Sequence, residues 1–218
     1  MNLKFLYNLI IYLSAISVLI PLVVGLIKIR TLSYLLRVLF VYICICSVTE
    51  ILCHLTAHKN PKIFHLTQNL FTVVECLILL YIFVIEFSSK TFRVLILTLS
   101  SSFLFLNVAV YYWFSSIFSD NNIASTAESI VIIFVSLLYF YNLALETKTL
   151  KRWENSFLWI NIAVLLYFST SFCPFLFSKQ LANKEAPTGY FIFQSFQRLI
   201  NIIYNTMLAV ALWKPRTT

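Results

Sequence analysis

Glu50, Glu75, Glu128, Arg198 and three histidines stand inside or beside long apolar runs of a 218-residue chain. Their types and spacing bound the chemistry open to it. Glu50, His54 and His58 recur at i, i+4 and i+8, which places them on one broad face of a helix. His65, Asn69, Thr72 and Glu75 descend the next apolar run, and Gln194, Arg198, Asn201 and Asn205 form an i, i+4, i+7, i+11 stripe on the last. Glu128 lies in a run of its own, and Asn161 and Tyr167 share another. A charge at the centre of a bilayer costs roughly 2.5–3.5 kcal/mol on insertion scales, so an ionisable residue there is a candidate functional site by default. Carboxylates, imidazoles and one guanidinium could hold a polar ligand, bind a cation or pass a proton.

Each chemistry has a bland competitor. Polar residues in membrane bundles also join helices, through hydrogen bonds of about 0.6–2 kcal/mol. For Asn161, Asn201 and Asn205 taken singly, that joining role is favoured. For the glutamates, Arg198 and the histidines as a set, a ligand, ion or proton site is favoured, because three carboxylates against one arginine leave negative charge uncompensated. Zinc is the metal alternative. Glu50, His54 and His58 would be its ligands and Glu75 a general base. The gap Leu55-Thr56-Ala57 lacks the glutamate of an H-E-x-x-H site, and this weakens the zinc reading. The primary expectation is no cofactor.

The elements that must position these residues are transmembrane helices. The chain is 61% hydrophobic and 11% charged, with a mean hydropathy of +0.89. So few charges cannot cover a water-facing surface. Apolar runs long enough for a bilayer core lie near 5–26, 35–55, 66–85, 94–114, 123–145, 157–177 and 190–213. The first is taken as a span and not a cleaved signal, since it is long and its positive charges, Lys28, Arg30 and Arg37, follow it. Lys28, Arg30, Arg37, Lys90, Arg93, Lys148, Lys151, Arg152, Lys214 and Arg216 fall on one side, against Lys4, Lys59, Lys62, Lys179 and Lys184 on the other. The positive-inside rule then puts the N-terminus outside and the C-terminus in the cytoplasm. The expected fold is an all-α membrane protein, a single seven-helix transmembrane bundle over residues 1–218. Its place is the cell membrane, which is the inner membrane in a Gram-negative host. Cys44, Cys46, Cys53, Cys76 and Cys173 all lie in apolar stretches and read as small hydrophobes. The net charge of +8 reflects topology and anionic headgroups, so no nucleic-acid partner is expected.

Thr49-Glu50, Asn69-x5-Glu75, the segment FLWINIAVLLYFS from Phe157 to Ser169, and Asn201-Ile-Ile-Tyr-Asn205 running to Trp213-Lys214 resemble the pattern of an uncharacterised family of bacterial seven-helix membrane proteins. The resemblance covers most of the chain. It implies that Glu50, Glu75 and Asn205 are recurring polar positions, and it implies no activity. Retinal is not expected, because the only lysine near the last span, Lys214, sits at its cytoplasmic end. Zinc hydrolases of the ceramidase and adiponectin-receptor type place histidines in the last helix, and this chain has none there.

Three functions compete. The leading one is a receptor-like or sensory module with an outward-facing polar cavity that takes a small molecule. Its loops are too short for an output domain, so it would signal through a separate partner. The second is a transporter or a proton or ion pathway, which mid-membrane carboxylates suit. The scarcity of glycine, with only Gly25 and Gly189, gives that reading few helix breaks of the kind transporters use. The third is a membrane metalloenzyme, and on balance the chain is not read as an enzyme.

Overall fold

The computed structural model describes residues 3–57, 59–113, 116–119, 122–145, 155–181 and 187–214, with backbone only for 3–8, 174–181 and 187–194. Among the described residues every regular element is helical: α1 (Leu3–Ser17), α2 (Leu19–Lys28), α3 (Tyr34–Thr56), α4 (Pro61–Glu86), α5 (Lys90–Trp113), α6 (Asn122–Leu145), α7 (Ser156–Leu181) and α8 (Pro187–Trp213). Six spans are long and apolar enough to cross a bilayer. α8 is the seventh helix of the bundle and has the length as well, but spends part of its apolarity on Gln197, Arg198, Asn201 and Asn205.

The first span, expected as one helix, is two. Pro21 has no N–H to give to the Ser17 carbonyl, and its ring crowds that oxygen. The helix therefore breaks at Val18, and α1 and α2 share the span Leu9–Lys28. α4 begins earlier than the apolar run alone indicates. Asn60 caps it by accepting from the Ile63 amide at 3.3 Å, and Pro61 opens the first turn where a missing N–H costs nothing. α7 is likewise opened by Asn155, which accepts from the Phe157 amide at 2.9 Å.

Helix neighbours close a ring that one sequence does not reveal. α3 packs on α4, α4 on α6, α6 on α7, α7 on α8, and α8 on α1 and α2; α2 returns to α3. α5 stands outside this ring, against α4 and α6. The return from α2 to α3 is close at Gly25, where a Cβ atom would come within 2.1 Å of the Phe40 ring. At the Trp213 end, Lys28 lies 4.5 Å over the Trp213 ring and Lys214 lies 4.5 Å over Trp159. Phe83, Phe157, Tyr139 and Phe87 interlock edge-to-face beneath them.

Candidate functional site

In the ring α2–α3, α3–α4, α6–α7 and α7–α8 run antiparallel, whereas α4–α6 and α8 with α1 and α2 run parallel, and side-chain contacts fix their register. Tyr42 donates to Glu75 Oε1 at 2.5 Å, and Tyr34 meets Tyr81 hydroxyl to hydroxyl at 2.8 Å, which aligns α3 with α4. The Tyr167 ring stacks on Tyr204 at 4.7 Å and aligns α7 with α8. Asn161 donates to the Ser136 carbonyl at 3.3 Å and aligns α6 with α7. The hydroxyls of Tyr42 and Tyr204 are 2.9 Å apart. Tyr42, Glu75, Tyr204 and Tyr167 thus share one level inside the ring, supplied by four different helices. Because Tyr42 spends its proton on Glu75, the Tyr204 hydroxyl must be the donor to Tyr42. The bonds point one way, from Tyr204 to Tyr42 to Glu75.

Helical rise then ranks the remaining polar groups above this level, toward the Thr56 end of α3. At 1.5 Å per residue, Glu128 lies about 3 Å above it, Ser171 about 6 Å, Arg198 about 9 Å and Glu50 about 12 Å. Glu128 is 3 % exposed and its Oε1 has no partner among the described residues; the buried Ser171 hydroxyl has none either. Arg198 and Glu50 face each other at 3.9 Å, with side chains 38 % and 43 % exposed. Tyr42, Cys46 and Glu50 follow one another at i, i+4 and i+8, so a single face of α3 climbs from the buried centre to the half-open pair. Tyr167 lies within electrostatic range of Glu75, Arg198, Glu128 and Cys46. These groups form one polar ladder.

Below the same level the packing is apolar except at Asn161 and Ser136, both fully buried, whose Oδ1 atom and hydroxyl have no partner among the described residues. Leu39, Leu79, Leu80, Phe83, Ile132, Val164 and Leu208 are all fully buried there. The Asn161–Ser136 contact lies about 9 Å down and binds α6 to α7 within this layer.

The other residues singled out in the sequence lie elsewhere. Asn201 donates to the Ser14 hydroxyl at 2.9 Å and Asn205 to that of Ser17 at 2.8 Å, while Ser17 donates to the Ser14 carbonyl at 2.6 Å. That stripe of α8 joins α1, apart from the carboxylates. Asn69 donates to the carbonyls of Ile117 and Ser119 at 2.7 and 2.9 Å and so holds the chain between α5 and α6. His65 packs edge-on to Phe64, and its buried Nδ1 has no partner among the described residues. His54 is exposed. His58 and the side chain of Gln194 lie outside the described residues.

Among the described residues no three His, Cys, Asp or Glu side chains converge in a way that could hold a metal. Of the zinc alternative, Glu50 is turned to Arg198, His54 is exposed, and His58 is not described. Sequence reasoning missed Tyr42, Tyr204, Cys46, Ser14, Ser17 and Ser171. Tyrosine and cysteine count as apolar in a hydropathy reading and serine is nearly neutral. The i, i+4, i+8 spacing of Tyr42, Cys46 and Glu50 was the available signal.

No family model matches the chain, and neither a curated protein nor a solved structure matches it.

Proposed function

We propose that this chain is a receptor-like sensory module of the cell membrane that admits a small molecule from the outer side. The N-terminus would lie outside and the C-terminus in the cytoplasm, as the lysines and arginines in the connections after α2, α4 and α6 favour. Arg198 and Glu50 would then stand at the outer end of the polar ladder, and Glu75 at its buried end. The observation that carries this reading is the one-sidedness of the charged groups: Glu128, Arg198 and Glu50 climb from Glu75 toward one end, while the described layer on the other side is apolar apart from Asn161 and Ser136. A ligand entering there meets α3, α4, α6, α7 and α8 at once, so its binding can shift how they pack. Every described connection is short, so the signal would pass to a separate membrane or soluble partner. Two of the three polar positions in the family resemblance, Glu50 and Glu75, belong to the ladder, and Asn205 holds α8 to α1.

The test is a thermal-shift screen of the purified chain in lipid nanodiscs against a broad library of anions, amines, sugars and zwitterions. It is paired with flux assays in proteoliposomes. A compound that raises the midpoint of the wild type but not of Arg198→Gln, without flux, supports the receptor. Proton or ion flux that Glu75→Gln abolishes, with no stabilising compound, refutes it. Flux is the outcome that the second reading demands, and two features favour that reading. They are the unpartnered Glu128 oxygen and the directional Tyr204–Tyr42–Glu75 bonds, which together suit a proton relay.

A further inference from the structure

Two side chains of opposite charge type, one buried in the ring and one at its half-open end, are short of partners. Glu128 is 3 % exposed and presents an Oε1 atom with no hydrogen-bond partner among the described residues. Arg198 carries five donors, yet the carboxylate it faces stays at 3.9 Å, beyond the reach of a hydrogen bond. Along the bundle axis their backbones are about 6 Å apart, and the Arg198 guanidinium turns toward Glu50 and away from Glu128, so a ligand would have to bridge the gap. Between their levels sits the Ser171 hydroxyl, fully buried and also without a partner.

A buried carboxylate is costly unless it is paired, and so is a guanidinium at membrane depth. A bound cation would satisfy Glu128 but sit close to Arg198. A bound anion would satisfy Arg198 but sit close to Glu128. One molecule bearing both charges meets both residues and adds no net charge to a low-dielectric interior. We infer that the site takes a small zwitterion of the amino-acid class, with its ammonium on Glu128 and its carboxylate on Arg198 and the Ser171 hydroxyl. This deepens the receptor reading and rests on it.

The experiment uses the full chain in lipid nanodiscs and measures saturable binding of the common amino acids and straight-chain ω-amino acids. Each is compared with its amide, which keeps only the cation, and its N-acetyl derivative, which keeps only the anion. At least one zwitterion should bind, with both derivatives at least tenfold weaker. Glu128→Gln and Arg198→Gln should each weaken it tenfold or more, and Ser171→Ala about threefold. Equal binding by a derivative overturns the assignment, as does a Glu128→Gln chain that binds normally. If Glu128→Gln does not fold, normal binding by Arg198→Gln overturns it instead. If no zwitterion binds while another class of compound stabilises the wild type, the zwitterion falls and the receptor stands. If nothing binds, both fall.

Discussion

Tyr42→Phe removes one oxygen and should disturb three helices. That hydroxyl donates to Glu75 of α4 at 2.5 Å and accepts from Tyr204 of α8 at 2.9 Å. All three residues are at most 8 % exposed, so no water stands ready to replace the lost partner. A hydrogen bond between membrane helices averages about 0.6 kcal/mol and reaches about 1.7. A buried carboxylate left without its donor adds roughly 1–3 kcal/mol. With two such bonds lost, the sum for Tyr42→Phe is about 2–4 kcal/mol. Tyr204→Phe removes only the second bond and should cost about 0.6–1 kcal/mol. The assay is reversible unfolding in bicelles, read as a double-mutant cycle of Tyr42→Phe with Glu75→Gln. The expected coupling is about 1–2 kcal/mol, since the two changes remove the same interaction. A coupling near zero, or a larger loss for Tyr204→Phe than for Tyr42→Phe, would refute the direction assigned to these bonds.

The remaining predictions concern the frame and the mouth. Gly25→Ala forces a methyl group onto the Phe40 ring and should lower stability by about 1–3 kcal/mol; Phe40→Leu should recover part of the loss in the same unfolding assay. Asn201→Leu and Asn205→Leu each break one bond to α1 and should cost about 0.6–2 kcal/mol in that assay, without altering ligand affinity. Asn69→Leu releases the carbonyls of Ile117 and Ser119, so amide exchange around residues 117–119 should speed up while the Tyr42–Glu75 region stays protected. In a cysteine-free background, Glu50→Cys should react with a charged thiol reagent added from outside intact cells, and Leu79→Cys should not. Labelling of Leu79→Cys at a similar rate would break the one-sided ladder.

Composition and periodicity made the architecture legible, because a bilayer imposes both on every span. The apolar runs came through with shifts of a turn where caps decide, as at Asn60-Pro61. The kink at Val18 was readable in principle, since Pro21 sits mid-span, but no periodic signal marks a lost bond. Helix order was not readable: each helix is apolar nearly all round, so nothing in one sequence says which face of α4 meets α6. The site was half legible. Glu75, Glu128, Arg198, Glu50 and Tyr167 were singled out by the cost of polar groups in lipid, and all fall on the ladder. Asn201 and Asn205 share a stripe with Arg198 yet turn to Ser14 and Ser17, because residues on a stripe fan out over enough angle to meet two neighbours. Tyr42 and Tyr204 escaped notice because a phenol is nine-tenths hydrocarbon in character, and its one polar atom matters only when another helix supplies the partner.

Carboxylates at mid-membrane depth do not by themselves separate a sensor from a conduit, since both must store or exchange charge there. The separation lies in what adjoins them on each side. A conduit has to connect its central site to both surfaces in turn, which requires polar groups, or helix breaks that expose backbone, on both sides of the centre. Here the side toward the Thr56 end of α3 has Glu128, Ser171, Arg198 and Glu50, whereas the opposite side has close-packed Leu39, Leu79, Phe83 and Leu208 with the Asn161–Ser136 pair. Opening that layer would need α3, α4 and α8 to part, and none of these three carries a proline or a glycine below the Glu75 level; the helix break on that side, at Val18–Pro21, lies between α1 and α2. A sensor has no such requirement. It needs a site on one side and a packed layer on the other that moves as a unit when the site is filled. On the proposed sensor reading the Tyr204–Tyr42–Glu75 bonds would provide that link, because they join α3, α4 and α8, three of the five helices whose buried apolar residues form the layer.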